Sequence, residues 1–373
     1  MIISFFVYIF NPFMGILRTI LAIAVVVYHS YKIFGLRMCG GQVAVESFYM
    51  ISGFYMALIL NEKYIGKGSY RKFIFSRFFR IFPVYWLILL LVLGLSIILY
   101  LVNDQPLYLG RYIANYNCLS AKTIAFFTFE NVFVIGQELL YFLKLDEFCN
   151  PQLTYHIFSF NHTGYQYLIV PQAWSISLEF MFYLVAPFIV TRKLHWQVLL
   201  VVLGISAKMF FANKYYLSFD PWTYRFFPFE LAFFIAGSIA YQAYKKIEFK
   251  SVSGHIGTIL LLLCVTILFV FDEIELKDEL KTSLFYIFCL GSLPFIFKTF
   301  KNNSIDKYIG ELSFSIYISH HVLVSLFRGY FFSKPELIPY YGYTVLFCSI
   351  LLALALQYTF INKIENYRHK KFS

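Results

Sequence analysis

Ten stretches of this chain are too long and too apolar to lie on the surface of a water-soluble domain. They fall near residues 14–34, 43–61, 80–102, 168–190, 196–212, 226–244, 255–271, 283–298, 309–332 and 342–361. A helix needs roughly 17 to 25 apolar residues to cross a hydrocarbon layer of about 30 Å, and these runs are of that order. Composition agrees, with 60% of the 373 residues hydrophobic, 14% charged and a mean hydropathy of +0.68. A soluble domain carries about a quarter charged residues. The 46 Phe and 31 Tyr suit bilayer interior and interface alike. The expectation is an all-α integral membrane protein, a bundle of about ten transmembrane helices. The net charge of +11 is spread over short loops between the runs, which is a topology signal rather than a nucleic-acid-binding stripe.

Those loops give the bundle a direction. Counting Lys and Arg in alternate connections assigns 18 to one side and 10 to the other, the richer side holding Lys63–Arg80, Arg192 and Lys193, Lys245–Lys250, Lys298–Lys307 and the tail from Lys363. Cytoplasmic loops carry the excess of basic residues, so both termini are expected inside, as an even number of spans requires. The longest connection, 103–167, then forms an external cap, with an extra helix near 121–143, and the whole of 1–373 reads as a single membrane domain with no appended soluble unit. Met1 to Phe10 lack the basic start and small-residue cleavage site of a signal peptide. Six scattered cysteines suit neither a disulfide scaffold nor a zinc site. Cys118 and Cys149 share the cap, where a bridge and two free thiols are equally open; Cys264, Cys289 and Cys348 sit in apolar runs as inert packing.

Charges within the runs need a reason, because each costs about 2.5–3.5 kcal/mol on insertion scales. Arg18 and His29 lie in the first run, eleven residues apart. At 100° per residue they end about 20° from alignment, on one helix face, separated by roughly 16 Å along the axis. Glu46 opens the second run, Glu179 lies in the fourth, Arg225 and Glu230 open the sixth, and His320 lies in the ninth at a height similar to that of His29. Buried charges turn inward and pair, which makes a shared polar cavity toward the outer side the economical explanation. The alternative for Arg18 and His29 alone is a snorkelling arginine and a satisfied core histidine. On the inner side, Arg71, Arg77 and Arg80 with Lys63, Lys67 and Lys72 form the densest basic cluster. It is either a topology signal facing anionic lipid or a clamp for a phosphorylated ligand, since guanidinium binds phosphate bidentately.

At these same residues the chain resembles the bacterial acyltransferase family 3, the membrane O-acyltransferases that modify O-antigens, exopolysaccharides and related glycans. ILRTILAIAVVVYHS carries an Arg-x10-His pair, Arg18 and His29. VAVESFYMISGF is similar to a V-[DE]-x-FF-x-x-SGF run through Glu46, Phe48, Tyr49, Ser52, Gly53 and Phe54. FIFSRFFRIFPVYW gives Arg77, Arg80 and Pro83. AWSISLEFMFY gives Trp174, Ser175, Glu179, Phe182 and Tyr183, with Ile176 where Leu is usual. RFFPFELAFFIAG and ELSFSIYISHHVLV complete the series with Arg225 and with Ser313, Tyr317 and His320. The order and topology of six such segments over nearly the whole chain carry the resemblance. Departures are Met14 and Gly15 where an acidic residue often precedes the Arg, Ala44 in place of Gly, and no esterase-like C-terminal domain.

The resemblance implies acyl-CoA, acetyl-CoA above all, as co-substrate rather than as a resident cofactor, and a glycan or lipid-linked sugar hydroxyl as acceptor, in the inner (plasma) membrane. A hydroxyl needs a positioned base at neutral pH, and His29 is the candidate, with Glu46 or Glu179 to orient it. Arg18, Arg77 and Arg80 would hold the donor. Arg225 and His320 would bind the acceptor or the developing oxyanion, with Trp174 and Tyr183 along the acceptor path. Ser52 is expected to pack a helix crossing beside Gly53, and His321 to be a neighbour only. No metal site and no oligomeric state are indicated. The rival reading is a transporter or flippase for a glycan or acylated substrate, which moves its cargo without consuming thioester.

Overall fold

The computed structural model of the protein describes residues 14–249 and 254–372; Met1–Phe10 and Lys250 lie outside them. Each of the ten apolar runs is built as a helix: α1 Gly15–His29, α2 Gly40–Glu62, α3 Ser69–Asn103, α6 Trp174–Ile189, α7 Leu194–Tyr215, α8 Phe227–Lys246, α9 Ile256–Val270, α10 Asp278–Phe300, α11 Ser304–Phe332 and α12 Ile338–Leu356. Among the described residues, seven of these helices are long and apolar enough to cross a membrane, α1, α8 and α11 being shorter or more polar. The remaining helices are α4 Gly110–Ala114 and α5 Ala121–Phe133 in the long connection, and the C-terminal α13 Asn362–Phe372. The only sheet among the described residues is a two-stranded antiparallel pair, β1 Leu143–Leu145 with β2 Pro151–Leu153.

Two glycine crossings fix the centre. A Cβ on Gly15 would stand 1.8 Å from the Asp306 carbonyl oxygen, and one on Gly310 would stand 2.5 Å from the Gly15 Cα, so α1 and α11 touch backbone to backbone. In the same way a Cβ on Gly53 would meet the Phe234 carbonyl at 1.8 Å and one on Gly237 the Met50 carbonyl at 1.8 Å, locking α2 to α8. Small residues at helix crossings serve in lipid because close packing replaces the hydrophobic drive that water would supply. At the first crossing the Asp306 side chain also accepts from the backbone N–H groups of Gly15 at 2.8 Å and Ile16 at 2.9 Å. A carboxylate on the positive end of α1 satisfies orphan donors there. It comes from α11, and stands in for the acid that Met14 and Gly15 do not supply.

Helix α3 begins at Ser69 rather than near 80, just after Gly68 in the left-handed region (φ 81°). Arg71, Arg77 and Arg80 therefore ride on the first turns of the same helix that later becomes the apolar span. The cap does not simply sit above the bundle. Its α5 lies along α3, where the Asn131 carbonyl accepts from Tyr85 and the Val132 carbonyl accepts from Trp86 Nε1 at 2.8 Å. Cys118 and Cys149 are bridged, tying the two ends of this segment together. Cys264 and Cys289 are free and buried, Cys348 free and half-buried.

Candidate active site

Among the described residues the bundle holds an open cavity, with about 910 Å³ of empty space counting its mouth. Arg18 from α1, Arg77 and Arg80 from α3, and Glu179 and Tyr183 from α6 line it, with Ser52 and Tyr55 from α2. The spacing of three along α3 puts Arg77 and Arg80 on one face. Glu179 is already engaged: Ser52 Oγ donates to its Oε1 at 2.9 Å, and the Tyr183 hydroxyl, one turn further along α6, donates to the same oxygen. Arg77 is 4% exposed and its Nε has no partner. Neither Arg18 nor Arg80 forms a hydrogen bond or salt bridge within the described residues. Three guanidinium groups facing one cavity, against a single occupied carboxylate, leave it an excess of positive charge and of unused donors.

Phe48, Ser175 and Tyr317 also line the cavity, whereas His29 and His320 do not. The Tyr317 hydroxyl lies 2.5 Å from Ser175 Oγ and donates to the Gln172 carbonyl at 3.1 Å. The backbone carbonyl of Tyr317 accepts from His320 Nδ1 at 2.6 Å. His320 is fully buried, and its ring centroid is 5.3 Å from that of His29. His321 is equally close to His29, at 5.3 Å, and its Nδ1 is 2.7 Å from the Tyr108 hydroxyl of the cap. His29 ends α1 and is the exposed member of this trio. Among the described residues no carboxylate hydrogen-bonds any of the three rings, and no group of three or more His, Cys, Asp or Glu side chains is disposed to hold a metal.

Beside them Arg225 sits in an aromatic cage. Its guanidinium carbon is 4.0 Å from the Tyr141 ring centroid, 4.1 Å from Trp174 and 4.7 Å from Tyr224. Asp220 holds it from Nε at 2.6 Å and Nη2 at 3.0 Å, leaving Nη1 buried and unpartnered.

Compared with known families, residues 11–357 match that of the acyltransferase domain, acyltransferase family 3. The chain belongs to this family. Curated relatives named "Putative O-acetyltransferase" in Staphylococcus aureus strains MSSA476 and COL are each 21% identical to it, over 94% and 92% of the chain. The chain spans about half the length of these relatives, 56% and 55% respectively. No solved structure matches it.

Within this family 3 chain the expected site residues do not form one pocket. Arg18, Arg77, Arg80, Glu179 and Tyr183 share the cavity; His29 and His320 meet outside its lining; Arg225 and Trp174 form the cage. Glu46 is apart from all three groups. Its Oε1 accepts from Lys208 Nζ at 3.1 Å and from Gln42 Nε2 at 3.2 Å, and its Oε2 accepts from the Tyr286 hydroxyl. Lys208 also reaches Glu230 Oε1 at 3.1 Å. Neither Glu46 nor Glu179 hydrogen-bonds His29; the donors that hold them come from other side chains. His320 has its Nδ1 committed to the Tyr317 carbonyl. Ser52 does more than pack: Gly53 makes the crossing, while Ser52 faces the cavity and holds Glu179. Sequence reasoning passed over Lys208. With Arg18 and Arg225 it completes the three basic residues that lie outside every loop tally, and that was the available signal.

In the cap, Glu130 and Glu138 lie close together. Burial first, and Glu138 second, push the Glu130 carboxyl up to about 7, and burial raises Glu138 despite the hydrogen bond it accepts from Ser177.

Proposed function

We propose that this chain is a membrane O-acyltransferase that moves an acyl group, acetyl in the first instance, from cytoplasmic acyl-CoA to a hydroxyl of a cell-surface glycan or lipid-linked sugar. The observation that supports this most is the cavity bearing Arg18, Arg77 and Arg80, whose lining residue Tyr317 bonds through its carbonyl to His320, the neighbour of His29. Phosphate oxygens of the donor satisfy the unused guanidinium donors bidentately, and the long flexible arm of the donor carries the thioester past Tyr317 toward His29. His29 takes the proton of the acceptor hydroxyl as its oxygen attacks the thioester carbonyl carbon. The C–S bond then breaks, and the departing thiolate takes the proton back from His29, giving an O-ester and a free thiol. Arg225, whose Nη1 is unused, and the Trp174 face receive the acceptor. Glu179 orders the cavity, and Glu46 holds α2, α7, α8 and α10 in place rather than touching reactants. The inner membrane is the site of this reaction.

The test is to incubate membranes containing the protein with radiolabelled acetyl-CoA and follow both thiol release and base-labile label on the polysaccharide fraction. Matched release and labelling support the reading. Movement of substrate with no thiol released, from acetyl-CoA or succinyl-CoA, favours a transporter instead.

A further inference from the structure

His320 is the buried polar group that the reaction scheme leaves unused. A carbonyl oxygen only accepts, so the 2.6 Å contact between His320 Nδ1 and the Tyr317 carbonyl fixes the ring proton on Nδ1. The ring is fully buried with no carboxylate beside it, and an imidazolium there would be an unpaired buried charge, so Nε2 carries only a lone pair. That Nε2 is buried and has no partner. A buried acceptor left unmet is costly, and in native proteins it asks for an explanation.

The ring facing it is His29, tilted by 34° with centroids 5.3 Å apart. The structure holds no hydrogen bond between the two rings, but ring nitrogens lie about 1.2 Å from an imidazole centroid, so a turn of the His29 ring that points one at His320 brings the pair to about 3 Å, hydrogen-bond distance. The other groups around His29 are Tyr28 and His321, and His321 is tied to Tyr108.

We propose that His320 is a positioning residue for His29. With the His29 ring so turned, the His320 Nε2 accepts the N–H of His29, which leaves the second His29 nitrogen unprotonated and aimed at the acceptor hydroxyl. This is the part a carboxylate plays for other catalytic histidines. When His29 takes the hydroxyl proton, the same bond holds the N–H of the imidazolium that forms, until the thiolate takes the proton. The inference rests on His29 being the base, and the experiment separates the two.

Variants His320→Leu, His320→Asn, His320→Gln and His29→Ala are expressed in the same membranes, with the amount of folded protein measured by size-exclusion chromatography. Radiolabelled acetyl-CoA is titrated to saturation, and base-labile label on polysaccharide is counted. Leu has no acceptor, and the Asn side chain is too short to reach. Both should lower the saturating rate per folded enzyme by between about 10-fold and about 10⁴-fold, the latter being the cost of a wrong tautomer elsewhere, with half-saturating acetyl-CoA unchanged. Gln can place Oε1 near the Nε2 position and should recover the rate to within about 10-fold of wild type. If His320→Leu and His320→Asn fold and keep the wild-type rate, or if His320→Gln is as slow as both, the positioning role is overturned while His29 stands. If His29→Ala itself keeps the wild-type rate, the base assignment falls and takes the positioning role with it.

Discussion

Replacing Lys208 with Met removes one ammonium and leaves two carboxylates in the bundle core. Glu46 is 1% exposed and Glu230 0% exposed, and each oxygen that meets Lys208 is 3.1 Å away. Breaking a buried pair by deleting one partner costs about 3–5 kcal/mol. Here two acids lose their only cation, which points to the upper end, but two neighbouring carboxyls can share a proton and Tyr286 still donates to Glu46. A loss of about 3 kcal/mol follows, equivalent to a melting midpoint lower by about 4 °C in a chain of this length. Glu46→Gln behaves differently. It leaves one carboxylate for one ammonium, and its amide oxygen still accepts from Tyr286 or Lys208, so stability should stay within about 1 kcal/mol and transfer within about 10-fold of wild type. Thermal denaturation of detergent-solubilised protein, followed by size-exclusion chromatography, reads the first quantity; labelled acetyl transfer reads the second. Lys208→Met melting with wild type would refute the buried-network argument. Glu46→Gln that melts normally yet transfers nothing would return Glu46 to the chemistry.

Three further outcomes are expected. Arg77→Ala or Arg80→Ala should raise half-saturating acetyl-CoA by about 10- to 100-fold in a transfer assay, the loss of one charge-assisted contact of about 1.5–3 kcal/mol; Lys at either position should restore only part, lacking the bidentate fork. Gly53→Leu and Gly237→Leu should abolish recovery of folded protein by size-exclusion chromatography, because the added carbon meets backbone 1.8 Å away. Glu130, raised from 4.5 to about 7, binds more protons folded than unfolded, so its contribution is whole below pH 4.5 and fades as the pH rises through 7. The shift bounds this at about 3 kcal/mol, and water at a part-buried site reduces it to about 1–2 kcal/mol. The melting midpoint should therefore fall from pH 5 to pH 8, and Glu130→Gln should flatten that fall.

How much of this was legible in the sequence depended on whether the cause was local. The ten runs became helices because a lipid-facing backbone must satisfy its own hydrogen bonds, and hydropathy alone reports that. Spacing of three correctly paired Arg77 with Arg80 in one cavity. Spacing of eleven put Arg18 and His29 on one face, but a shared face is not a shared pocket: Arg18 lines the cavity and His29 does not. The partners of these residues come from remote segments. Asp306 reaches α1 across 291 positions, Lys208 reaches Glu46 across 162, and His320 meets His29 only after α1 and α11 cross at Gly15 and Gly310. Local pattern carries no record of such pairings, nor of the bridge between Cys118 and Cys149. Lys208 was the exception, a lysine standing in an apolar run that the loop count passed over.

The most direct test of the central claim is base-labile acetyl on polysaccharide after incubation with radiolabelled acetyl-CoA, wild type against His29→Ala at equal folded protein. The account predicts labelled ester in the wild type, with thiol released in equal amount, and a loss of at least about 100-fold in the variant. Equal labelling in both would contradict it.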